Sequence, residues 1–373
     1  MIYDAVIIGA GPAGACAGYW LAAAGLKIAL ADRRKFPREK LCGGLLTCKT
    51  VDMLRTILPV EDIPKYGISG TYVFHHGRSA AAFKLLSEAY TVRRSQFDTL
   101  LVEAAEKRGV HSYLGEPLQS IDFIKREVCL SGGHRLGYSI LIGADGALSR
   151  VRRFSGIPKN EMGFCVESHV PWELLKNPDH LRNGGIEIYY GDFSDGYGWI
   201  FPCEASVAVG VGNLAQGMTE QEILAQYQKF LADILISTDI KPAGAYLPSG
   251  TSVALGTPLY ENLCLIGDAA GLIDPFTGEG IYYALLSAKT VTDAIVSGKT
   301  AYPEYERRMS RIIQEIQDTV GIRNRVYSPP VLKHSLDFMQ SAAQYSEKLI
   351  DETIVRYAKT YADAYEELKF YSR

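Results

Sequence analysis

Residues 3–14, Tyr-Asp-Ala-Val-Ile-Ile-Gly-Ala-Gly-Pro-Ala-Gly, decide the fold of this chain. The segment Tyr3 to Ile8 is mostly apolar and rich in isoleucine and valine, which is typical of a buried parallel strand. It runs directly into a Gly-x-Gly-x-x-Gly turn, and residues 15–24 after the turn favour a helix. A strand, a tight glycine turn and a helix in this order predict a dinucleotide-binding unit with a pyrophosphate at the helix N-terminus.

Each glycine of the turn has a predicted task. Gly9 allows the sharp turn, Gly11 lets the backbone approach a pyrophosphate, and Gly14 lets the helix pack closely on the strand. Pro12 and Ala13 complete the turn beside the predicted helix N-terminus, where free backbone N–H groups and the positive end of the helix dipole point at the phosphates. All five residues are therefore predicted to bind the cofactor.

An acidic residue follows at the expected distance. A second apolar run, residues 27–31, ends in Asp32, which is 23 positions after Gly9 (32 − 9) and is predicted to accept hydrogen bonds from an adenosine ribose. Arg33 and Arg34 come next and could clamp the 2′-phosphate of NADP. We favour the alternative that they are solvated charges or partners of FAD phosphates.

Composition excludes several classes of protein. The chain has 373 residues, 39 basic and 42 acidic, so no net field predicts a nucleic-acid partner. Seven scattered cysteines lack metal-ligand spacing, which predicts reduced thiols in a cytoplasmic protein and no metal site. We expect no signal peptide, because the N-terminus is the first strand, and no transmembrane segment. Peripheral contact with a membrane surface stays open.

A second motif makes the prediction more specific. Residues 36–44, Phe-Pro-Arg-Glu-Lys-Leu-Cys-Gly-Gly, resemble the F-P-R-x-K-x-C-G-G segment of the geranylgeranyl reductase family, which has the FAD fold of the p-hydroxybenzoate hydroxylase class. The resemblance implies that Arg38, Cys42, Gly43 and Gly44 lie along the flavin. Leu45 departs from the pattern, because many relatives have another glycine there. Cys42 could alternatively be a small buried residue.

Three further segments match the same class in the expected order. Residues 94–98 resemble its R-x-x-F-D element, and Arg94 would reach the flavin dinucleotide unless it pairs only with Asp98. Residues 143–149 resemble G-A-D-G-x-x-S, although Asp145 could be a plain turn residue. Residues 267–280 resemble the second FAD motif, followed by a helix whose positive end would face the flavin. The cofactor-binding residues implied are Arg94, Ala144, Asp145, Gly146, Gly267, Asp268, Pro275, Gly278, Gly280 and Ile281.

Residues 196–202, Gly-Tyr-Gly-Trp-Ile-Phe-Pro, predict an aromatic wall. Tyr197, Trp199 and Phe201 share one face of a strand because side chains alternate. Such a wall suits an apolar, extended substrate, with core packing as the alternative. The segment also resembles the aromatic-x-Trp-x-Phe-Pro element of geranylgeranyl reductases. We expect Cys42, Tyr197 and Trp199 to contact the reacting bond, and we assign no proton donor.

These patterns predict an α/β fold with a glutathione-reductase-type Rossmann FAD-binding domain, an inserted, mostly antiparallel substrate sheet, and C-terminal helices. The FAD-binding domain is expected at 1–70, 90–155 and 260–325, and the substrate domain at 71–89 and 156–259. Residues 326–373 are expected to form a C-terminal helical segment with a tyrosine-edged stripe.

The resemblance implies an FAD-dependent reductase that saturates carbon–carbon double bonds of an isoprenoid or similar apolar or lipid substrate. With no second Gly-x-Gly-x-x-Gly motif, electrons are expected from transiently bound NAD(P)H or from a reduced carrier protein. One alternative is a monooxygenase or halogenase acting on an aromatic or secondary-metabolite substrate. Tyr197 and Phe201 depart from the Trp-x-Trp-x-Ile-Pro pattern of halogenases. Another alternative is a non-catalytic flavin electron relay.

Overall fold

A computed structural model describes residues 1–193, 196–214 and 218–327. The strands are β1 (Ile2–Ile8), β2 (Ile28–Asp32), β3 (Leu45–Leu46), β4 (Tyr66–His75), β5 (Arg78–Thr91), β6 (His111–Leu114), β7 (Leu118–Asp122), β8 (Glu127–Leu130), β9 (Arg135–Gly143), β10 (Met162–Val170), β11 (Gly185–Tyr190), β12 (Gly196–Pro202), β13 (Val207–Asn213), β14 (Ala243–Pro248) and β15 (Leu263–Leu265). The helices are α1 (Pro12–Ala23), α2 (Cys48–Leu54), α3 (Arg94–Lys107), α4 (Arg150–Phe154), α5 (Asp179–Arg182), α6 (Glu220–Ile234), α7 (Ile281–Val296) and α8 (Ala301–Val326).

The first sheet has the order β6-β2-β1-β9-β8-β7, and β15 also pairs with β9. The pairs β1–β2, β1–β9, β2–β6 and β9–β15 are parallel, while β7, β8 and β9 form an antiparallel end. The central strand β1 is buried along its C-terminal half, as expected for a parallel strand covered on both faces. Helix α1 contacts β1 and packs against both α3 and α7. This arrangement confirms the predicted Rossmann-type α/β fold.

The second sheet has the order β14-β10-β13-β12-β11-β4-β5-β3. Its pairs are antiparallel except for β4 with β11. Helix α6 packs on β10 and β13, and a capping box between Thr219 and Glu222 fixes its N-terminus. The buried Tyr227 of α6 contributes to a core separate from that of the first sheet. The mostly antiparallel second lobe is thus present.

The strand pairing bears on how the chain divides between the two lobes. β3, β4 and β5 all join the second sheet, so segment 66–91 leaves the first lobe together with Leu45 and Leu46. The predicted boundaries at 71–89 and 156–259 stay a prediction. The C-terminal segment 326–373, including its tyrosine-edged stripe, lies outside the described residues after residue 327. No described helix is long and apolar enough to cross a membrane.

Candidate active site

A cavity of about 1640 Å³ lies between the two lobes. One end is lined by the glycine turn after β1, and the other by the aromatic face of β12. Most residues predicted to bind the cofactor line it: Gly9, Gly11, Pro12, Ala13, Asp32, Arg33, Arg38, Cys42, Gly43, Gly44, Arg94, Ala144, Asp145, Gly146, Asp268, Gly278, Gly280 and Ile281. Gly14, Gly267 and Pro275 are not among the lining residues.

The glycine turn is built as its spacing predicts. Gly9 has φ +106°, and a methyl group there would lie 2.2 Å from the Ala144 carbonyl oxygen. A methyl group on Gly14 would lie 1.8 Å from the Gly9 carbonyl oxygen. At Gly11 the nearest atom would be Nη2 of Arg38 at 3.5 Å, an ordinary contact distance. Gly9 and Gly14 therefore serve the packing of turn, helix and β9, whereas Gly11 faces the cavity.

Asp32 ends β2 at the cavity wall, with both carboxylate oxygens already engaged. Oδ2 accepts the Ala10 N–H at 2.7 Å, and Oδ1 accepts the Arg34 N–H at 2.8 Å. Each carboxylate oxygen has a further lone pair, so these bonds orient the group and leave acceptor capacity for a ligand hydroxyl.

Two arginines share one buried carboxylate beside the glycine turn. Arg94 donates from Nε and Nη2 to Asp98 at 2.7 and 2.8 Å, and Arg38 Nη2 lies 3.1 Å from the same group. Arg94 also interacts with the Cys42 side chain. Burial opposes the charge of Arg94, but Asp98 and Cys42 outweigh it and raise its pKa. The pairing of Arg94 with Asp98 and its place in the cavity lining therefore coexist, and the trio leaves one net positive charge.

The Cys42–Gly44 segment lies against the second sheet. A methyl group on Gly43 would lie 2.5 Å from Cδ2 of Phe201, and one on Gly44, which has φ +73°, would lie 2.1 Å from the Val92 carbonyl oxygen. The Cys42 N–H donates to Oε1 of Glu167 at 3.1 Å. Leu45, the departure from the family pattern, pairs with Thr91 in the short strand β3.

The Asp145 carboxylate is engaged as a helix cap. It accepts the N–H groups of Arg150 at 2.6 Å and Val151 at 3.2 Å, together with the Ser149 hydroxyl. These bonds tie Asp145 to the first turn of α4, which fits the turn alternative for its side chain. Burial raises its pKa, although these hydrogen bonds favour the ionised form. The backbone of 144–146 lines the cavity, and its contact with a cofactor stays a prediction.

The second motif brings another helix N-terminus to the cavity. Gly280 precedes α7, and a methyl group there would lie 3.5 Å from Oδ1 of Asp268. Lys40 Nζ lies 3.8 Å from Oδ2 of Asp268. Gly267 has φ +55° and donates its N–H to Ser287 at 3.0 Å, so it holds the motif onto α7 from behind. Pro275 packs against Gly250, also behind the cavity wall.

The aromatic wall stands on β12 as the alternation predicts. Tyr197, Trp199 and Phe201 all line the cavity, while Ile200 between them belongs to the opposite core. The ring centroids of Tyr197 and Trp199 are 5.8 Å apart. The Tyr197 hydroxyl donates to the Thr277 carbonyl, and burial raises its pKa above the ordinary range.

Comparison with known proteins identifies the family. The FAD binding domain family matches residues 2–295. The chain belongs to this family. It is 28% identical over 342 residues to a menaquinone reductase of Mycolicibacterium smegmatis, covering 84% of this chain and 80% of the relative. It is 29% identical over 322 residues to a geranylgeranyl diphosphate reductase of Rhodobacter capsulatus, covering 81% of this chain and 78% of the relative.

A solved structure supports the fold. A geranylgeranyl bacteriochlorophyll reductase-like protein of Thermoplasma acidophilum superposes with a TM-score of 0.77 at 20% identity, covering 96% of this chain and 95% of that one. The resemblance to geranylgeranyl reductases and the prediction of an FAD-dependent oxidoreductase are confirmed.

The cavity of this FAD-binding protein fits its cofactor chemically. In the described part of the chain, no side chain caps α1 or α7, so their first N–H groups face the cavity free of such a partner. Together with Arg38 and Arg94 they suit a pyrophosphate. Gly11 would let a phosphate approach the backbone closely, and Asp32 retains acceptor capacity for a ribose hydroxyl. The residues that would hold FAD thus include both helix N-termini and the arginine pair.

Two polar residues of this site escaped the sequence reasoning. Glu167 lies within the buried strand β10 and bonds both Cys42 and Trp199. Glu279 accepts the Thr47 hydroxyl at 2.7 Å, joining the segment after Gly44 to the loop before α7. A signal was available for the first of them, because a charged residue in an apolar strand requires a partner.

Proposed function

We propose that this protein is an FAD-dependent reductase that saturates carbon–carbon double bonds of an isoprenoid or similar apolar substrate. The observation that carries the proposal is the continuity of the cavity past the Cys42–Gly44 segment along an apolar face of the second sheet. That face presents Val73, Leu85, Ile186, Ile188, Trp199 and Phe201. An apolar chain laid along it would gain about 25 cal/mol for each Å² removed from water.

The relatives favour this choice of substrate. Menaquinone and geranylgeranyl diphosphate, which appear in the names of two relatives, both carry isoprenoid chains. FAD supplies the hydride that the reduction of a double bond requires. In this proposal the protein positions the chain, excludes water and holds a proton donor near the reacting carbon.

We propose that Cys42, Tyr197 and Trp199 contact the reacting bond. Cys42 is the stronger candidate for the proton, because the Tyr197 hydroxyl is committed to the Thr277 carbonyl and its pKa is raised. Trp199 and Tyr197 supply the apolar wall. The reducing equivalents would come from NAD(P)H or from a reduced carrier protein. A lipid substrate would bring the enzyme into peripheral contact with a membrane surface.

The test is a single-turnover reaction. The holoenzyme is photoreduced under strict anaerobiosis and mixed with a geranylgeranyl lipid or with menaquinone, and both absorbance and product mass are followed. The proposal expects flavin reoxidation with a gain of two hydrogens for each isoprenoid double bond, and for menaquinone this gain must persist after the quinol ring has been oxidised back to the quinone. If the flavin stays reduced with both compounds and reoxidises rapidly only when oxygen is admitted, the proposal fails and a monooxygenase or halogenase is favoured.

A matched pair of variants on β12 tests the substrate face. Phe201→Leu changes a side chain that lines the cavity, whereas Ile200→Val changes its neighbour in the opposite core. We expect Phe201→Leu to raise KM or lower the single-turnover rate, and Ile200→Val to leave both near the wild-type values. Equal effects of the two variants would contradict a substrate face on β12.

A further inference from the structure

A buried carboxylate lies behind the part of the cavity where the Cys42–Gly44 segment meets the aromatic wall of Tyr197, Trp199 and Phe201. Glu167 is near the middle of β10, with 3% of its surface exposed. Its strand is hydrogen-bonded on both sides, to β13 and to β14. Within the described residues no lysine, arginine or histidine forms an ion pair with it. Burying a charge without a salt-bridge partner is costly, so the ionised carboxylate of Glu167 depends on its hydrogen bonds. The donors of these bonds therefore indicate its role.

The register of the second sheet places Glu167 and Trp199 on either side of the same residue of β13. Gly210 of β13 pairs with Glu167 on one side and with Trp199 of β12 on the other. A methyl group on Gly210 would lie 2.2 Å from Cζ2 of Trp199, so the indole lies directly over this glycine. The absence of a side chain at 210 therefore lets the indole cross β13, and Nε1 donates to Oε2 of Glu167 at 2.8 Å.

The second carboxylate oxygen reaches the other wall of the site. Oε1 of Glu167 accepts the Cys42 N–H at 3.1 Å. Through these two bonds one side chain joins the aromatic wall to the segment that we propose lies along the flavin. Gly43 makes that junction tight, because a methyl group there would lie 3.4 Å from Nε1 of Trp199 and closer still to Phe201.

We propose that Glu167 is a positioning residue: its carboxylate holds Trp199 and the Cys42–Gly44 segment in register across the cavity, and its protonation loosens them. Both partners are N–H donors, so the ionised group accepts from both, whereas a protonated group offers one oxygen as an O–H. The catalytic part of this inference rests on the proposed reductase function, while the hydrogen-bond part does not.

The surroundings of Glu167 set the pH range in which its carboxyl group is protonated. Burial raises the pKa of Glu167 to about 7, although the hydrogen bonds from Trp199 and Cys42 favour the ionised form. The titratable and charged groups that act on Glu167, or on which it acts, come from the flavin-side segment, the start of α3, β10 itself, the end of β12 and α6. They are Cys42, Arg93, Arg94, Cys165, Cys203 and Tyr227.

The first test needs no substrate. The chain has three tryptophans, so the indole N–H region of a ¹H–¹⁵N spectrum of the holoenzyme holds three resonances, and Trp199→Phe assigns the one that matters. We expect the Trp199 resonance to shift with pH, with a midpoint near 7. Trp20 is the internal control, because its Nε1 donates to the Thr56 hydroxyl, which does not titrate in this range. A Trp199 resonance that is constant between pH 5.5 and 8.5 would overturn the proposal.

The second test uses Glu167→Gln, which keeps the shape but supplies one acceptor oxygen and an NH₂ that cannot accept. We expect this variant to bind FAD, to lose the Trp199 titration, and to react with the apolar substrate about tenfold more slowly at pH 8. Wild-type turnover should rise with pH through 7, and that of the variant should be flat. If Glu167→Gln turns the substrate over as fast as wild type at every pH, the positioning role is refuted. If wild type turns over no isoprenoid, the reductase proposal fails alone and the spectrum still decides on Glu167.

Discussion

The burial of Glu167 makes a quantitative prediction about stability and pH. Its carboxyl has a pKa of about 7 in the folded chain against 4.5 as the ordinary value. The unfolded chain therefore releases this proton first as the pH rises, and the folded state loses stability between about pH 4.5 and pH 7. Above pH 7 both states are ionised and the loss is complete. Glu167→Gln removes the titrating group and with it this pH dependence.

The magnitude follows from the two pKa values. One pKa unit corresponds to about 1.4 kcal/mol, and integration from pH 5 to pH 8.5 gives a change of about 2–3 kcal/mol. We therefore expect Glu167→Gln to be more stable relative to wild type at pH 8.5 than at pH 5, with the difference between their free energies of unfolding larger by about 2–3 kcal/mol. All other groups titrate in both proteins and cancel in this difference.

The assay is urea unfolding of the holoenzyme in excess FAD, followed by far-UV circular dichroism at both pH values. Glu103→Gln is the control, because Glu103 is exposed on α3 and its removal should change stability little at either pH. If the difference between Glu167→Gln and wild type is the same at pH 5 and pH 8.5, Glu167 is not desolvated as its burial implies and the reasoning is refuted.

Four further single substitutions, at Gly14, Gly11, Gly43 and Asp98, test how the cavity and its surroundings are built. Gly14→Ala places a methyl group 1.8 Å from a backbone oxygen, so we expect it to lose more than about 3 kcal/mol of stability. Gly11→Ala should unfold like wild type but bind FAD more weakly in a fluorescence titration; equal stabilities of these two variants would contradict the assignment. Gly43→Ala should lower the single-turnover rate, and Phe201→Leu in the same chain should restore part of it by making room; no rescue would mean the two walls do not touch. Asp98→Asn leaves the buried guanidinium group of Arg94 and the half-buried one of Arg38 without their carboxylate and should cost about 3–5 kcal/mol in urea unfolding.

The local motifs were predictable because each depends on neighbours in sequence. The turn at 9–14 needs glycine where φ is positive or where backbone approaches backbone, and both conditions hold at Gly9. The aromatic face of β12 follows from alternation alone. Arg94 is instructive, since its spacing to Asp98 was visible in the sequence while the third partner, Arg38, comes from a loop far away in the chain.

Long-range partners were beyond sequence reasoning for a physical reason. The bond from Trp199 to Glu167 depends on the order of three strands and on a register that places Gly210 between them. No periodicity within one strand contains that information. Asp145 shows the converse, because a carboxylate after a strand suits a ligand and a helix cap equally until the helix it precedes is known.

Side-chain contacts join the separate segments that surround the Cys42–Gly44 segment and the aromatic wall. Thr47 bonds Glu279, Lys40 pairs with Asp268, and the segment between them is fixed to β10 through Cys42. The segment is therefore tied to the loop before α7 on one side and to the second sheet on the other. A substrate that displaced Trp199 would pull on the Cys42–Gly44 segment through Glu167. Substrate fit and the geometry beside the flavin are thereby coupled, so substitutions in the aromatic wall should change the rate of reduction as well as substrate affinity.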